Sequence, residues 1–472
     1  MLTISAEQLA EAVRGDLVLG SPDVMVSGAA IDSRQVASGA AFFAFSGQRT
    51  DGHSFAGQAL DAGARALVVT RPPDEIEGLL EHPRLGDAAI VLVEDAGEAL
   101  RSLAAFHRSR LSCPVIGITG STGKTTTKDL IASVLGRTMR VVSTEGNMNN
   151  ELGVPLTILR AGPATDALVL EIAMRGLGQI AALCAVARPT IGLVTNVGES
   201  HLELLGSPEA IAAAKSELVL AIPADGRVYL NADDAWSQEM AAKSKAPVVT
   251  YGLARPADVR AEVLDVDENG RPLVRVESED GELECRLSVP GRHNAYNAAA
   301  AAAVCMGMGV PQEEIAAGLE EAAVSPMRME SFVSAAGVLI VNDAYNASPS
   351  SMRAALKALC ELTVSGRRFA VLGDMAELGS LAELAHFELG EHVARCGLDG
   401  LFAVGERASR IADGAKAEGM PEARIRRFPD ADSAAQAVCE EVRRGDVVLV
   451  KASRVMGLER VVEALMGATC SG

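Results

Sequence analysis

The sequence predicts an α/β protein of three domains, and three observations lead to this prediction. Short apolar runs alternate with helix-length segments along most of the chain, which is typical of mostly parallel, doubly wound sheets. The 472 residues are too many for one ordinary hydrophobic core. A glycine-rich segment separates a first small α/β unit from the rest. We therefore predict a small N-terminal α/β domain over residues 1–108, a central domain with a doubly wound, mostly parallel sheet over 109–326 and a Rossmann-like domain over 327–472.

The N-terminal domain is predicted from apolar strands at 41–45, 66–69 and 89–93 that alternate with helical stretches. Two polar clusters interrupt this pattern, at Asp32-Ser33-Arg34 and at Gly47–His53. Loops at strand ends commonly carry binding groups. Taken alone, however, each cluster is more often a turn than a site, so both interpretations stay open here.

The glycine-rich segment at 115–128 is interpreted as a phosphate-binding loop between a strand and a helix. Its glycines let backbone amides turn toward an anion, Lys124 neutralises the terminal phosphates, and the Thr125 hydroxyl holds a magnesium ion. The general motif has glycine where this chain has Ile118, so the match rests on the Gly123-Lys124-Thr125 core. The alternative is a tight strand-to-helix turn that happens to contain a lysine.

The central domain is predicted to continue with parallel strands. A candidate metal-binding side chain lies at or after the end of two of these strands. Glu171 ends an apolar strand where nucleotide-binding domains place a magnesium-reaching carboxylate. His201 follows the next strand, and it is either a ligand or a surface histidine. Lys215 follows in a helix, where the plain interpretation is an exposed lysine paired with Glu217 or a neighbour. The predicted strands are at 115–118, 140–143, 167–171, 190–195, 226–230 and 247–251, with an antiparallel meander at 259–289.

The third domain is predicted from strands at 338–341, 369–372, 401–404 and 447–450 that again alternate with helices. It carries no glycine fingerprint of its own. The first of these strands leads into the polar segment 342–352 and the last into 451–454. Both segments lie at carboxyl ends of strands, which is the expected binding edge of such a sheet.

Composition restricts the classes of partner and the compartment. The formal net charge of −19 argues against broad binding to nucleic acid or to an anionic membrane. Acidic residues interrupt positions 1–16, unlike a signal peptide, and the most apolar run, 298–310, is too short to span a bilayer. Eight cysteines without a C-x-x-C pair suit reduced thiols. We therefore expect a cytoplasmic protein without a membrane span or a nucleic-acid partner, and we expect a monomer.

The chain resembles the muramyl ligases of peptidoglycan synthesis through motifs that run in order across all three predicted domains. The matching elements are Thr119–Thr125, Glu145–Asn150, Glu171, Asn196–His201, Lys215 and Gly291–Asn297. Within this family, Asp343–Pro349 and Gly373–Gly379 resemble the member that adds D-alanyl-D-alanine to UDP-N-acetylmuramoyl-tripeptide. The Asp-Asn-Pro-Arg motif of the sibling that adds diaminopimelate is absent.

The resemblance implies an ATP-dependent amide ligase that forms an acyl phosphate, with two Mg²⁺ ions and a carbamylated Lys215. It implies catalytic roles for Lys124, Lys215, His201 and Arg328. The implied metal ligands are Thr125, Glu171, His201 and Lys215. Nucleotide contacts are implied for Thr119, Gly120, Ser121, Thr122, Gly123, Lys124, Thr125, Thr126, Asn294, Asn297, Arg328 and Asp343. Contacts with the UDP-tripeptide or with D-alanyl-D-alanine are implied for Ser33, Arg34, Gly47, Gln48, Asn149, Asn150, Tyr345, Asn346 and Ser348.

Three other functions stay open at this point. The phosphate loop alone also suits a nucleotide-driven switch or motor that acts on a protein partner. A sibling ligase, of the diaminopimelate-adding or folate-polyglutamate type, would differ only in its specificity loops. A noncatalytic binding module would conflict with the full set of metal-binding positions. Because Arg328 and Asp343 lie far along the chain from the phosphate loop, we also expect domain closure around ATP.

Overall fold

A computed structural model of the chain describes residues 1–47 and 50–467, and it contains three units of alternating strands and helices. The first unit has a five-stranded sheet in the order β2-β7-β6-β5-β4, mostly parallel, and a small antiparallel pair, β1-β3. The elements are β1 (Thr3–Ser5), α1 (Ala6–Val13), β2 (Asp16–Leu19), β3 (Met25–Ser27), β4 (Ala29–Ala30), β5 (Ala41–Phe43), α2 (Ala56–Asp61), β6 (Ala66–Val69), β7 (Ala89–Leu92) and α3 (Ala96–Arg108). The three predicted strands are confirmed with slightly shorter ends. The prediction missed β1 to β4, which are two to four residues long and carry no sustained apolar run.

The central unit is built on a nine-stranded sheet in the order β16-β15-β14-β13-β12-β11-β8-β10-β9. All pairs from β9 to β14 are parallel, and β14, β15 and β16 form an antiparallel edge, which confirms the predicted meander. The strands are β8 (Val115–Thr119), β9 (Val141–Ser143), β10 (Ala167–Glu171), β11 (Ile191–Val194), β12 (Arg227–Asn231), β13 (Val248–Gly252), β14 (Val259–Val266), β15 (Pro272–Ser278) and β16 (Gly281–Arg286). The helices are α4 (Lys124–Gly136), α5 (Gly153–Arg160), α6 (Gln179–Ala187), α7 (Leu202–Leu205), α8 (Pro208–Ala221), α9 (Ser237–Lys243), α10 (Asn294–Gly307) and α11 (Gln312–Glu320).

The alanine-rich run that the sequence shows near residue 300 forms the buried helix α10. Its alanines from Ala298 to Ala303 are almost fully buried, and the helix packs against α4 and the edge strands. Small side chains allow this close approach, because no bulky group separates the helix backbones. The packing fixes the position of α4, the helix that begins at the phosphate loop.

The third unit has a six-stranded sheet in the order β17-β18-β22-β19-β20-β21, parallel except for β17. The elements are β17 (Glu330–Val333), β18 (Leu339–Asn342), α12 (Pro349–Glu361), β19 (Arg368–Gly373), α13 (Ala382–Arg395), β20 (Gly400–Val404), α14 (Ser409–Ala417), β21 (Ile425–Phe428), α15 (Ala431–Glu441), β22 (Val447–Lys451) and α16 (Glu459–Gly467). The four predicted strands are confirmed. The prediction missed β17 and β21, edge strands that alternate or mix charged with apolar residues and so resemble loops.

Hydrophobic cores connect the units unequally. One core cluster runs without interruption from the first unit into the central unit, through α3, α5 and α6. The two clusters of the third unit contain only residues between Met329 and Leu465. The division at 108/109 and 326/327 stays our proposal for the domain boundaries. Among the described residues, no helix is both long and apolar enough to cross a membrane.

Candidate active site

The phosphate-binding loop joins β8 to α4, and two of its glycines are required by their surroundings. Gly120 has φ +149° and Gly123 has φ +79°, which is the region of backbone conformation that favours glycine. A Cβ at Gly120 would lie 1.8 Å from Oγ1 of Thr195, and one at Gly123 would lie 2.5 Å from Oδ1 of Asn297. Side chains from two distant segments therefore close directly against the loop.

The carboxyl end of β11 holds the loop in shape. Asn196 accepts a hydrogen bond from the Thr122 amide at its Oδ1 (3.0 Å) and one from the Ser121 amide at its carbonyl oxygen (2.9 Å). Oγ1 of Thr195 donates to the Thr122 carbonyl at 2.6 Å. These bonds fix the backbone of the loop before any ligand arrives, so little ordering is needed on binding.

Lys124 begins α4 and lies folded over the loop. Its Nζ donates to the carbonyl of Gly120 at 2.8 Å. Burial lowers the pKa of Lys124, and the carboxylate of Glu171 acts in the opposite direction, while Arg328 adds to the lowering. The charge of Arg328, a residue of the third unit, therefore reaches the ammonium of Lys124 in the phosphate loop.

An oxygen-rich pair lies directly beside the loop. Oγ1 of Thr125 donates to Oε2 of Glu171 at 2.6 Å, and both side chains are buried. Nδ2 of Asn149 donates to Oε1 of the same carboxylate at 2.9 Å. A hydroxyl and one carboxylate, next to a place for phosphate oxygens, are the donor set that suits Mg²⁺. No cluster of three or more His, Cys, Asp or Glu side chains suited to a metal occurs within residues 1–47 and 50–467.

Lys215 lies inside α8 with only 1% of its surface exposed. The interpretation of an exposed lysine paired with Glu217 is wrong, because Glu217 instead accepts hydrogen bonds from the amides of Gly178 (2.6 Å) and Ala181 (2.9 Å) at the start of α6. Burial strongly lowers the pKa of Lys215, and the charge of Lys124 lowers it further. The charge of Asp234 acts in the opposite direction, and no hydrogen bond or ion pair within the described residues engages the amine.

His201 meets the third unit. Its Nδ1 lies 2.6 Å from Oε2 of Glu377, in the loop after β19. Glu377 lies in the motif Gly373–Gly379 that resembles the family, but no role was predicted for it.

The two asparagines implied for adenine lie at the start of α10. Nδ2 of Asn297 donates to Oδ1 of Asn294 at 2.7 Å, and Oγ1 of Thr127 donates to Oδ1 of Asn297 at 3.2 Å. Nδ2 of Asn294 is fixed by the carbonyl of Pro290 at 2.6 Å. The pair therefore adjoins the phosphate loop, on the side of α4 that faces α10.

The third unit reaches the site through Arg328 and the segment after β18. The residues on both sides of Arg328, Met327 and Met329, have positive φ values of 60° and 54°, and the guanidinium lies over the Tyr345 ring at 4.3 Å from its centre. Backbone strain of this kind concentrates at functional sites. The strained turn therefore presents Arg328 toward the central unit.

Asp343 is held by an ion pair within the same unit. Its Oδ2 lies 2.6 Å from Nζ of Lys451, which also donates to the carbonyl of Asn346 at 2.8 Å. Lys451 ends β22, and Asp343 follows β18 directly. The two parallel strands thus place both groups at one edge of the sheet, as the sequence predicted for this edge.

One cavity of about 970 Å³ between the central and third units brings most of the candidate residues together. Those that line it are Ser121, Thr122, Gly123, Lys124, Thr125, Thr126, Asn149, Asn150, Glu171, His201, Asn294, Asn297, Arg328, Asp343, Tyr345, Asn346 and Ser348. Three other candidates do not line the cavity: Thr119 ends β8, Gly120 begins the loop, and Lys215 is buried. Among the lining residues to which no role was predicted are Arg175, His293, Glu377, Lys451, Ser453 and Arg454. His293 and Glu377 lie inside the motifs that carry the family resemblance, and the last three lie in the predicted binding segment 451–454.

The candidate UDP contacts lie elsewhere. No residue of 1–47 or 50–120 lines the cavity. Ser33 is buried and its Oγ donates to Oε1 of Gln58 at 2.8 Å, while Arg34 is exposed and pairs with Asp32 at 2.6 Å. Gly47 lies in an exposed loop, and Gln48 is outside the described residues. A UDP-linked substrate would therefore have to extend from the first unit to the cavity, and these residues stay predictions.

Family models match three stretches of the chain. The Mur ligase family catalytic domain matches residues 25–108, the Mur ligase middle domain residues 118–305, and the Mur ligase glutamate ligase domain residues 327–454. The UDP-N-acetylmuramoyl-tripeptide--D-alanyl-D-alanine ligase of Mycobacterium tuberculosis is 40% identical over 505 aligned residues, which cover 99% of this chain and 98% of that protein.

Two solved structures are similar over nearly the whole chain. MurF from Acinetobacter baumannii has a TM-score of 0.86 at 30% identity and covers 99% of this chain and 100% of its own. MurF from Thermotoga maritima in complex with ADP has a TM-score of 0.77 at 31% identity and covers 93% and 97%. These similarities extend across all three units and include both sides of the cavity.

Proposed function

This chain belongs to the Mur ligase family, and from that premise we propose that it joins D-alanyl-D-alanine to UDP-N-acetylmuramoyl-tripeptide at the expense of ATP in peptidoglycan synthesis. The observation that carries the proposal is the shared cavity of about 970 Å³, where the phosphate loop faces Arg328, Asp343 and Tyr345 of the third unit. A nucleotide-driven switch needs the loop but gives no reason for these third-unit groups. An amide ligase needs both sides, because it must bring a nucleotide, an acid and an amine together.

The reaction has two chemical steps. The terminal carboxylate of the tripeptide attacks the γ-phosphorus of ATP, which forms an acyl phosphate and releases ADP. The amine of D-alanyl-D-alanine then adds to the acyl carbon, and the tetrahedral intermediate loses a proton and expels inorganic phosphate. Both steps bring anions together, so charge neutralisation and alignment are the main tasks of the protein.

The chain's own cations meet these tasks from two sides. Lys124 approaches from the phosphate loop and Arg328 from the third unit, and both line the same cavity. Partial burial of this region strengthens their attraction to a transferring phosphoryl group, because water screens it less. Asn294 and Asn297 adjoin the loop and would receive the adenine, and Asp343 at the opposite edge would receive the ribose hydroxyls.

Two magnesium ions are part of the proposal. Thr125 and Glu171 would hold the first, and their 2.6 Å contact supports an oxygen-only site. His201 and a carbamylated Lys215 would hold the second, and the buried amine of Lys215 supports that modification. When bound, the ions supply Lewis-acid neutralisation of the phosphate oxygens.

The remaining proposals concern the surroundings of the enzyme. Ser33, Arg34, Gly47 and Gln48 would contact the UDP end, and Asn149, Asn150, Tyr345, Asn346 and Ser348 would contact the peptide or the incoming dipeptide.

We propose that the protein is a monomer, which light scattering during size-exclusion chromatography would test. We also propose a cytoplasmic location, which is supported by the seven described cysteines, because all of them are free thiols.

Mass spectrometry of the product tests the function directly. The protein is incubated with ATP, D-alanyl-D-alanine and UDP-N-acetylmuramoyl-tripeptide, with diaminopimelate or lysine as third residue in separate reactions. The proposal predicts the UDP-pentapeptide together with equal amounts of ADP and phosphate. Hydrolysis of ATP without any amide product would favour a switch, and addition of glutamate or diaminopimelate in place of the dipeptide would favour a sibling ligase.

A further inference from the structure

The contact between His201 and Glu377 joins two different units of the chain. His201 lies in the loop after β11 of the central unit, and Glu377 lies in the loop after β19 of the third unit. The distance between Nδ1 of His201 and Oε2 of Glu377 is 2.6 Å. Both residues line the cavity, and both side chains are partly shielded from water, with 22% and 39% of their surface exposed. This places a carboxylate of the third unit directly on the ring of a candidate metal ligand.

Backbone geometry on both sides supports the contact. His201 has φ +64° and Glu377 has φ +61°, a region that residues other than glycine seldom adopt. The amide of Glu203 donates to the carbonyl of Glu377 at 3.2 Å, so the two turns are also joined through their backbones. Two strained residues that meet side chain to side chain are the expected mark of a functional constraint.

A metal-binding histidine needs a partner for its second ring nitrogen. Only one imidazole nitrogen can offer a lone pair to the ion, and the other carries a proton that is best donated to a carboxylate or carbonyl oxygen. Nδ1 of His201 makes a close contact with the Glu377 carboxylate but no well-aligned hydrogen bond within the described residues, and Nε2 is the nitrogen left for an ion.

We propose that Glu377 is a positioning residue for His201, which holds the ring so that Nε2 faces the second magnesium ion. The proposal rests on the second ion of the proposed function. Because Glu377 belongs to the third unit, its docking completes the surroundings of a ligand that belongs to the central unit. Affinity for the second ion is thereby linked to domain closure, so acyl-phosphate formation is favoured only after the third unit has closed over the substrates.

The test counts Mn²⁺ ions bound to the full chain by electron paramagnetic resonance, in the presence of ADP and UDP-N-acetylmuramoyl-tripeptide. Glu377→Gln keeps the side-chain size and removes the charge. Glu388→Gln is the matched control, because Glu388 is an exposed residue of α13 in the same unit, and its side chain forms no hydrogen bond or ion pair with the residues that the structure describes. We expect Glu377→Gln to weaken one of two bound ions by about 10- to 100-fold, with the other ion and the control unchanged.

A double-mutant cycle separates a positioning role from a general structural one. If Glu377 acts through His201, Glu377→Gln weakens ion binding in the wild type and adds nothing once His201→Ala is present. Long-range ¹⁵N NMR of the imidazole rings supplies an independent readout, because it should show the proton of His201 on Nδ1 in the wild type and a redistributed proton in Glu377→Gln. The melting temperature of each variant confirms that it is folded.

Each outcome has one meaning. If the wild type binds two ions and Glu377→Gln binds both with unchanged affinity, the positioning role is wrong and the two-ion site stands. If the wild type binds a single ion, the second ion of the proposed function is wrong, and the role of Glu377 falls with it. Equal losses from Glu377→Gln with and without His201 would show that Glu377 does not act through the histidine.

Discussion

The two junctions that the central unit makes with its neighbours differ in kind. Its junction with the first unit is a continuous hydrophobic core, in which Leu103 of α3 and Leu159 of α5 belong to one cluster. One buried polar group is paired across the junction, since Nε of Arg108 donates to the carbonyl of Ala187 at 2.8 Å. Separation would expose this apolar surface to water, so the first and central units are expected to behave as one body.

The junction with the third unit is mainly polar and surrounds the cavity. Arg292 pairs with Glu361 at 3.3 Å, and the Thr363 amide donates to the carbonyl of Glu268 at 3.4 Å. Such contacts exchange with water at little net cost. The junction with the first unit therefore contributes mainly to stability, and the junction with the third unit surrounds the candidate active site. We expect the third unit to be the part that moves.

The largest expected effect is a loss of turnover without a loss of substrate binding or of stability. Lys124→Ala should lower turnover by roughly a thousandfold, because the ammonium interacts most strongly with the charge that develops on the transferred phosphoryl group. Binding of the UDP-tripeptide, measured by calorimetry, should be retained, and so should the melting temperature. Lys245→Ala, at an exposed lysine of the same unit, is the control. Near-normal turnover would mean that the phosphate loop has been misinterpreted.

Lys215→Ala is expected to have the second largest effect, a loss of about a hundredfold or more, because a ligand of the second ion disappears. A short-chain carboxylic acid added in solution should partly restore turnover by occupying the vacated position. The UDP-tripeptide should still bind. Wild-type activity in the alanine variant, or an unmodified ammonium at Lys215 in a map obtained with bicarbonate present, would contradict carbamylation.

The two junctions should also differ in calorimetry. Leu103→Ala removes a fully buried side chain from the shared core, and Leu389→Ala does the same in the third unit. Each should lower the free energy of unfolding by about 2–5 kcal/mol. We expect Leu103→Ala to shift one transition that includes both the first and central units, and Leu389→Ala to shift a separate one. A single transition that both variants move equally would remove the contrast between the junctions.

The smallest effect is predicted at the rim of the polar junction. Glu361→Gln breaks the ion pair with Arg292, which is partly exposed, so the free-energy change should be about 0–1 kcal/mol. We expect a change of a few-fold at most in the apparent affinity for ATP, because the closed arrangement loses one weak contact. Glu422→Gln, in an exposed pair within the third unit, should have no effect. A large loss of stability in Glu361→Gln would show that this junction is tighter than described.

The sequence predicted those parts of the molecule that local patterns determine. The apolar strands and the phosphate loop were correct because each is encoded within a few consecutive residues, and Glu171 and Lys124 followed from their places at a strand end and a helix start. The short strands β1 to β4 and the charged edge strands β17 and β21 were missed because their residues carry no sustained periodicity.

Other features depend on contacts between distant segments, which no local pattern reports. The Cβ contact that requires glycine at 123 comes from Asn297, and Glu377 reaches His201 only after two units have packed. The left-handed conformations of His201 and Glu377 are likewise invisible to a local pattern, since residues other than glycine adopt them only uncommonly. Family resemblance supplied the candidate catalytic residues, which stay predictions, but it gave no role to Glu377, although this residue lies in one of the resembling motifs.

Two distance measurements in one protein test the mobile third unit most directly. Because the chain contains eight cysteines, fluorescent labels are introduced by unnatural amino acids at exposed positions, with Glu7 and Lys245 as one pair and Lys245 and Glu440 as the other. We expect an ATP analogue and the UDP-tripeptide together to shorten the mean distance between Lys245 and Glu440 and to narrow its distribution. The distance between Glu7 and Lys245 should stay constant. Equal changes in both pairs, or no change in either, would contradict this expectation.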